Sequence, residues 1–347
     1  MRGRGTPDNP ANRYEPLHLE PDPPEPGEEA PREPTRFYRD ASRSILAEND
    51  SPDVPFRFSV NPYRGCEHGC AYCYARPSHE YLGFSAGLDF ETRILVKDRA
   101  PELLRRALSR RAWVPEVIAL SGNTDPYQPV ERRLGLTRSC LEVLRDFRNP
   151  AGIITKNVLV RRDIDVLAEL ASWDAARVHI SITTLDRALA ARLEPRAAAP
   201  EQRLAAVEAL AVAGIPVNVL VAPLIPGLTD HEVPAILERA AAAGARAASY
   251  ILLRLAPPVD ALFDAWLARH LPERRKKILG RIRDTRGGRI SDARFGSRMR
   301  GEGAYAAHLA GLFQGARRRH GLEERLPPAS AAAFRPESPP DGQAALF

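Results

Sequence analysis

Residues 61–76 read Asn61-Pro62-Tyr63-Arg64-Gly65-Cys66-Glu67-His68-Gly69-Cys70-Ala71-Tyr72-Cys73-Tyr74-Ala75-Arg76, with three cysteines at spacing C-x3-C-x2-C. Thiolates so spaced can hold three irons of a [4Fe–4S] cube and leave the fourth without a protein ligand, a Lewis-acidic corner able to orient a chelating small molecule. The one further cysteine, Cys140, lies in a helical stretch and is expected to be a small buried core thiol. Two alternatives stay open on these residues. His68 or His79 could complete a tetrahedral zinc site, although no second cysteine pair accompanies it. A closed ferredoxin-type cluster would need a fourth thiolate at a suitable place.

Outward from this loop the chain alternates β-branched runs with Ala/Leu-rich helical stretches, the pattern of a parallel α/β sheet. A strand at 56–60 feeds the loop, and further strands are expected at 116–120, 152–155, 178–182, 217–221 and 248–253. Helices are expected at 101–110, 137–147, 163–172, 200–213 and 233–243, the last two closed by Gly214 and Gly244. Six such units predict an α/β fold, a partial (β/α)6 TIM-like barrel, whose chemistry sits at the C-terminal ends of the strands. Ser121, Asn123, Asp125, Thr155, Lys156, Ser181, Thr183 and Pro223 fall at those ends. The barrel core is placed at 41–255 and a basic, mainly helical C-terminal extension at 256–325. The Pro/Glu-rich leader 1–40 and the Pro-rich tail 326–347 are expected to be disordered.

Composition narrows the class. Hydrophobic content of 44% and charged content of 27% over 347 residues suit a globular enzyme. Clustered cysteines are no disulfide framework and point to a metal site in a reducing compartment. Without a signal-peptide h-region or an apolar run near the ~20 residues that span a bilayer, the expected location is cytoplasmic, with no membrane partner. The net charge of +6 hides an asymmetry, acidic before the motif (Glu28, Glu29, Glu33) and basic after residue 268. Arg274, Arg275, Lys276, Lys277, Arg281, Arg283, Arg294, Arg298, Arg300 and Arg317 to Arg319 form either a surface for DNA or RNA or a solvated helix face. The loop 295–303 is either a cap on the barrel or, through Arg298 and Arg300, a phosphate site.

The cysteine motif, with Tyr72 just before its third cysteine, resembles the radical S-adenosylmethionine (AdoMet, SAM) superfamily. Residues 61–76, Ser121-Gly122-Asn123-Thr124-Asp125-Pro126-Tyr127-Gln128-Pro129 and Ile154-Thr155-Lys156-Asn157 resemble a bacterial branch grouped near spore photoproduct lyase, over roughly Ser42 to Leu322. The resemblance implies a lyase- or oxidoreductase-type enzyme in which an electron from a [4Fe–4S] cluster cleaves AdoMet. The resulting 5′-deoxyadenosyl radical takes a hydrogen from an unknown substrate, with nucleic acid a candidate. It also implies an electron donor of flavodoxin or ferredoxin type. Cys66, Cys70 and Cys73 would bind iron, and Tyr72 would pack beside the adenine or the cluster. Tyr72 and Tyr74 would form a phenolic radical relay. Asn123, Thr124 and Asp125 would take the AdoMet amino group, Lys156 beside Thr155 its carboxylate, and Ser181 and Thr183 carboxylate or ribose hydroxyls. Ala222 and Pro223 would carry the adenine on backbone. Where spore photoproduct lyase has a hydrogen-donating cysteine this chain has Gly122, which puts thymine-dimer repair in doubt. The competing class is a zinc- or cluster-stabilised nucleic-acid-binding protein without radical chemistry.

Overall fold

The β-branched runs pair into one large sheet because each is short, apolar on both faces and followed by a helix that can cover it. The computed structural model describes residues 3–15 and 33–336. In chain order the strands are β1 (Arg36–Arg39), β2 (Leu46–Glu48), β3 (Phe58–Val60), β4 (Tyr63–Arg64), β5 (Arg93–Val96), β6 (Ile118–Leu120), β7 (Ala151–Thr155), β8 (Ala176–Ser181), β9 (Val217–Leu224) and β10 (Ala247–Leu252). The large sheet runs β10-β9-β8-β7-β6-β3-β2. Neighbours from β3 to β10 are parallel, and β2 is antiparallel to β3 at the edge.

The helices Ala100–Leu108, Leu136–Asp146, Ile164–Ser172, Pro200–Val212 and Val233–Ala242 alternate with these strands and turn their apolar faces inward. Leu103, Leu104, Leu141, Leu144, Leu167, Leu170, Val207 and Leu237 join the strand residues in one core. Cys140 is buried in that core, as expected of a packing thiol. The helix Ala304–Arg319 belongs to the same core, burying Leu309 and Phe313 against β10, with the rings of Phe313 and Tyr250 4.7 Å apart.

Three features differ from expectation. A second sheet, β1-β5-β4, stands beside the cysteine loop, joining parallel strands that lie far apart in sequence. The leader is ordered at both ends of 1–40: residues 3–15 lie on the loop, and 36–39 are β1. Their backbone donors and side-chain amides find partners there, which a poor apolar content does not reveal. The rest of the leader, residues 1, 2 and 16–32, lies outside the described residues. Of the tail 326–347, residues 326–336 are docked: Arg177 donates to the carbonyls of Pro327 and Pro328, and Phe334 stacks on Phe147. Residues 337–347 lie outside the described residues. Among the described residues no helix is long and apolar enough to cross a membrane.

Candidate cluster and cosubstrate site

The loop leaves β3 at the C-terminal edge of the sheet and is held by hydrogen bonds from its neighbours. The Asn61 side chain accepts from the Asn123 and Thr124 N–H groups, tying the loops after β3 and β6 together. The Cys66 N–H donates to the Phe90 carbonyl at 2.9 Å and the Ala71 N–H to the Leu193 carbonyl at 2.9 Å. Gly69 has a φ of +65°, and a Cβ there would stand 2.5 Å from the Glu91 carboxylate, so both the turn and the close approach require glycine. Glu67 turns back to the framework, accepting from the Val130 N–H and pairing with Arg196.

All four cysteines are free thiols; Cys66 and Cys70 are buried and Cys73 is half-buried. Burial pushes the Cys70 thiol well up, helped by Glu194 and opposed by Lys156. Burial likewise raises Cys73, against Arg76. Buried thiols of this kind ionise only when a cation compensates, which is what iron ligation supplies. A cube asks each thiol for its own iron at a separate corner, and three free thiols on one pinned loop fit that demand. Both histidines that could complete a zinc site have partners within the protein. His79 is committed elsewhere: its Nε2 meets the Arg93 carbonyl at 2.9 Å, it packs on Phe84 and Phe90, and burial pulls it down to about 4. His68 reaches Asp125 instead, Nδ1 to Oδ2 3.4 Å. Burial opposes its charge, while Asp125 and then Cys66 push it up.

Opposite the loop, the ends of β6 to β9 bring several expected residues together. Asp125 accepts from the Thr155 hydroxyl and the Lys156 N–H, both at 2.7 Å, and from the Tyr127 N–H at 2.9 Å. Burial alone would raise the Asp125 carboxyl, but His68 and these donors hold it low. Its oxygens are thus engaged by the protein, and Asp125 organises the loops around it. Lys156 Nζ donates to Ser181 Oγ at 2.7 Å and to the Ala222 carbonyl at 3.0 Å. Ser181 also donates to that carbonyl at 2.8 Å, so Lys156, Ser181 and Ala222 form one cluster over three strand ends. Pro223 follows through a cis peptide bond. Asn123 contributes only its backbone to this wall, and its side chain is exposed.

Tyr72 and Thr183 meet at a residue that sequence reasoning missed. The Tyr72 hydroxyl donates to the buried Glu194 carboxylate, and Thr183 Oγ1 donates to it at 2.8 Å. Arg203 closes the group, ion-paired with Glu194 and donating to the Ser181 carbonyl at 3.0 Å. Burial would raise the Glu194 carboxyl, but Arg203 first, then Lys156 and Tyr72, hold it at about 2. A signal was present: Arg203 shares the helix face of Ala206, Val207 and Leu210, where a surface arginine has no place. Tyr74 behaves differently. It is 53% exposed at the rim, its hydroxyl donates to the Gly122 carbonyl at 2.5 Å, and Arg254 lies over its ring at 5.6 Å.

The family model of the Radical SAM superfamily matches residues 60–240. Uncharacterised proteins of Mycobacterium tuberculosis (strain H37Rv) and Mycobacterium bovis are each 41% identical over 222 residues, 63% of this chain. The chain spans 65% of the length of these relatives. An uncharacterised protein of Methanocaldococcus jannaschii is 30% identical over 51% of this chain and 63% of its own. Spore photoproduct lyase complexed with dinucleoside spore photoproduct superposes with a TM-score of 0.58 at 16% identity, covering 83% of this chain and 81% of that one. A spore photoproduct lyase mutant with bound AdoMet and the same dinucleoside gives 0.57 at 17% identity, covering 83% and 80%. At such identities the likeness is one of fold.

Proposed function

Because the chain belongs to the radical SAM superfamily, with a [4Fe–4S] cluster and AdoMet as its cofactors, we propose that it cleaves AdoMet reductively to take a hydrogen atom from a nucleic-acid substrate. The observation that carries this reading is three free thiols on one pinned loop facing the Lys156–Ser181–Ala222 cluster. The sheet from β3 to β10 is then the (β/α)6 partial barrel that encloses the reaction. When bound, the cluster supplies the electron that breaks the C5′–S bond of AdoMet, delivered to it by a flavodoxin- or ferredoxin-type donor.

This chain's own residues do the rest. Cys66, Cys70 and Cys73 hold the irons. Lys156 gives its ammonium to the AdoMet carboxylate, exchanging the Ala222 carbonyl for a charged acceptor, and Ser181 follows. Asp125, through Thr155 and the Lys156 N–H, fixes the loop that presents this lysine, and the exposed Asn123 and the Thr124 backbone face the amino group. The Ala222–Pro223 backbone would carry the adenine. Tyr72, bound to Glu194, is a buried wall that keeps water out. Tyr74, at the rim beside Gly122, is the phenol a substrate can reach, and is the hydrogen relay where no thiol stands.

The rim favours a phosphate-bearing substrate. Arg254 meets the Tyr74 ring and the Met299 sulfur, and the carboxylate that acts on it, Asp53, is already bound by Arg298. Burial and the neighbouring Arg298 pull its pKa down, a state that a bound anion relieves. Phe295, 59% exposed, lies under Arg298 at 4.3 Å. Exposed rings capped by guanidinium groups suit stacked bases and their phosphates. Arg298 itself is bound to Asp53 and Ser51, so the loop 295–303 caps the barrel edge first. The test is to reduce the reconstituted holoprotein with dithionite, add AdoMet and deuterated DNA or RNA, and follow 5′-deoxyadenosine. Deuterium in that product is the expected result; no product at full cluster loading would sink the proposal.

A further inference from the structure

Residues 3–15 touch the Cys66–Cys73 loop at Gly69 and Ala71 and are held by polar contacts to residues 80–91 beside it. The Gly5 and Thr6 N–H groups donate to the two oxygens of Glu91 at 2.9 and 3.0 Å. Glu91 is ion-paired with Arg76 at 2.5 Å, and both side chains are wholly buried. Arg76 in turn donates to the Cys70 carbonyl at 2.9 and 3.0 Å and to the Gly87 carbonyl at 2.8 Å. A relay of hydrogen bonds thus runs from Gly5 and Thr6 through Glu91 and Arg76 to the backbone of the middle cysteine. Contact is so close that a Cβ on Gly5 would stand 1.6 Å from the Gly69 carbonyl oxygen, which only glycine permits. Farther along, the Asn12 amide donates to the Glu80 and Phe84 carbonyls at 2.9 and 3.0 Å, and Tyr14 stacks on Tyr81 at 4.9 Å.

We propose that residues 3–15 are a strap that positions the cysteine loop and shields its Gly69–Ala71 side, so that retention of the cluster in air depends on the strap being closed. This rests on the reading of Cys66, Cys70 and Cys73 as iron ligands. Residues 3–15 lie against the Gly69–Ala71 backbone, so opening the strap would bare the loop from that side as well as from the strand ends. Glu91 is the reason the strap is specific: a wholly buried carboxylate needs more donors than Arg76 alone, and the Gly5 and Thr6 N–H groups complete the set.

Gly5→Ala tests the proposal in the full-length holoprotein, reconstituted without oxygen. Iron content, the ~400 nm cluster absorption in air and the melting of the fold are followed together. The strap role predicts normal melting with bleaching about fivefold faster or more, as for a local opening made easier. A folded variant that cannot load iron at all supports the positioning role as well. Should Gly5→Ala not fold, the double variant Asn12→Ala with Tyr14→Ala loosens the far end without touching the loop, and faster bleaching is again expected. Bleaching at the parent's rate, or faster bleaching only in step with a fall in whole-chain melting, overturns the strap. A parent chain that takes up no iron overturns the ligand reading instead.

Discussion

Lys156, Glu194 and Arg203 stand in the wall of strand ends and hydrogen-bond to one another's partners, Glu194 and Arg203 fully buried. In the stretch after residue 268, Arg275 and Arg281 are each about half exposed and meet the exposed carboxylates of Asp264 and Asp284. Both sets are charged, yet only the buried one is fixed in place. In a low-dielectric wall each charge is defined by its partner, so geometry is set before any ligand arrives. At the surface, water and salt screen each pair, and what survives is a field that attracts anions without specifying them.

Perturbations of the two regions should therefore differ in size. Cys70→Ala is expected to remove the cluster and reduce 5′-deoxyadenosine to background, whereas Cys140→Ala, in the core, keeps its iron; iron and sulfide analysis decides. Glu194→Ala leaves Arg203 buried without a counter-charge and should cost about 3–5 kcal/mol in denaturant unfolding. The pH dependence follows from the depressed Glu194 carboxyl, at about 2 against an ordinary 4.5. Its contribution is complete above pH 4.5 and is lost as pH falls toward 2, so the gap in melting temperature between parent and Glu194→Gln should stay constant from neutral pH down to 4.5 and narrow below. Lys156→Met removes charge-assisted bonds of about 1.5–3 kcal/mol and should weaken AdoMet binding about 10- to 100-fold by equilibrium dialysis. Asp264→Asn, breaking the exposed pair with Arg275, should shift stability by no more than about 1 kcal/mol. A large effect at Asp264, or a negligible one at Glu194, would erase the contrast.

Much of this arrangement was legible from the chain alone. The β-branched runs expected at 116–120, 152–155, 178–182, 217–221 and 248–253 each overlap a parallel strand, with ends shifted by up to three residues, because a strand buried on both faces must be apolar throughout. Lys156, Ser181 and Ala222 could be singled out because they end such strands. Glu194 and Arg203 were harder to single out: an arginine on the apolar face of its helix was the one local sign, and a pair nine residues apart across a helix start leaves no motif. Residues 3–15 escaped for a different reason: their binding is carried by backbone N–H groups and side-chain amides, to which composition is blind. Tyr72 and Tyr74 look equivalent in sequence, and only burial separates the wall from the rim.

The docked tail has a consequence for the core. Glu323 pairs with the start of β10, the Ser330 N–H donates to the Asp174 carbonyl before β8, and the Arg335 N–H donates to the Phe147 carbonyl before β7. Residues 323–335 therefore cover the starts of β7, β8 and β10, so a truncation before Glu323 should bare the apolar core at that end and leave the wall of strand ends untouched.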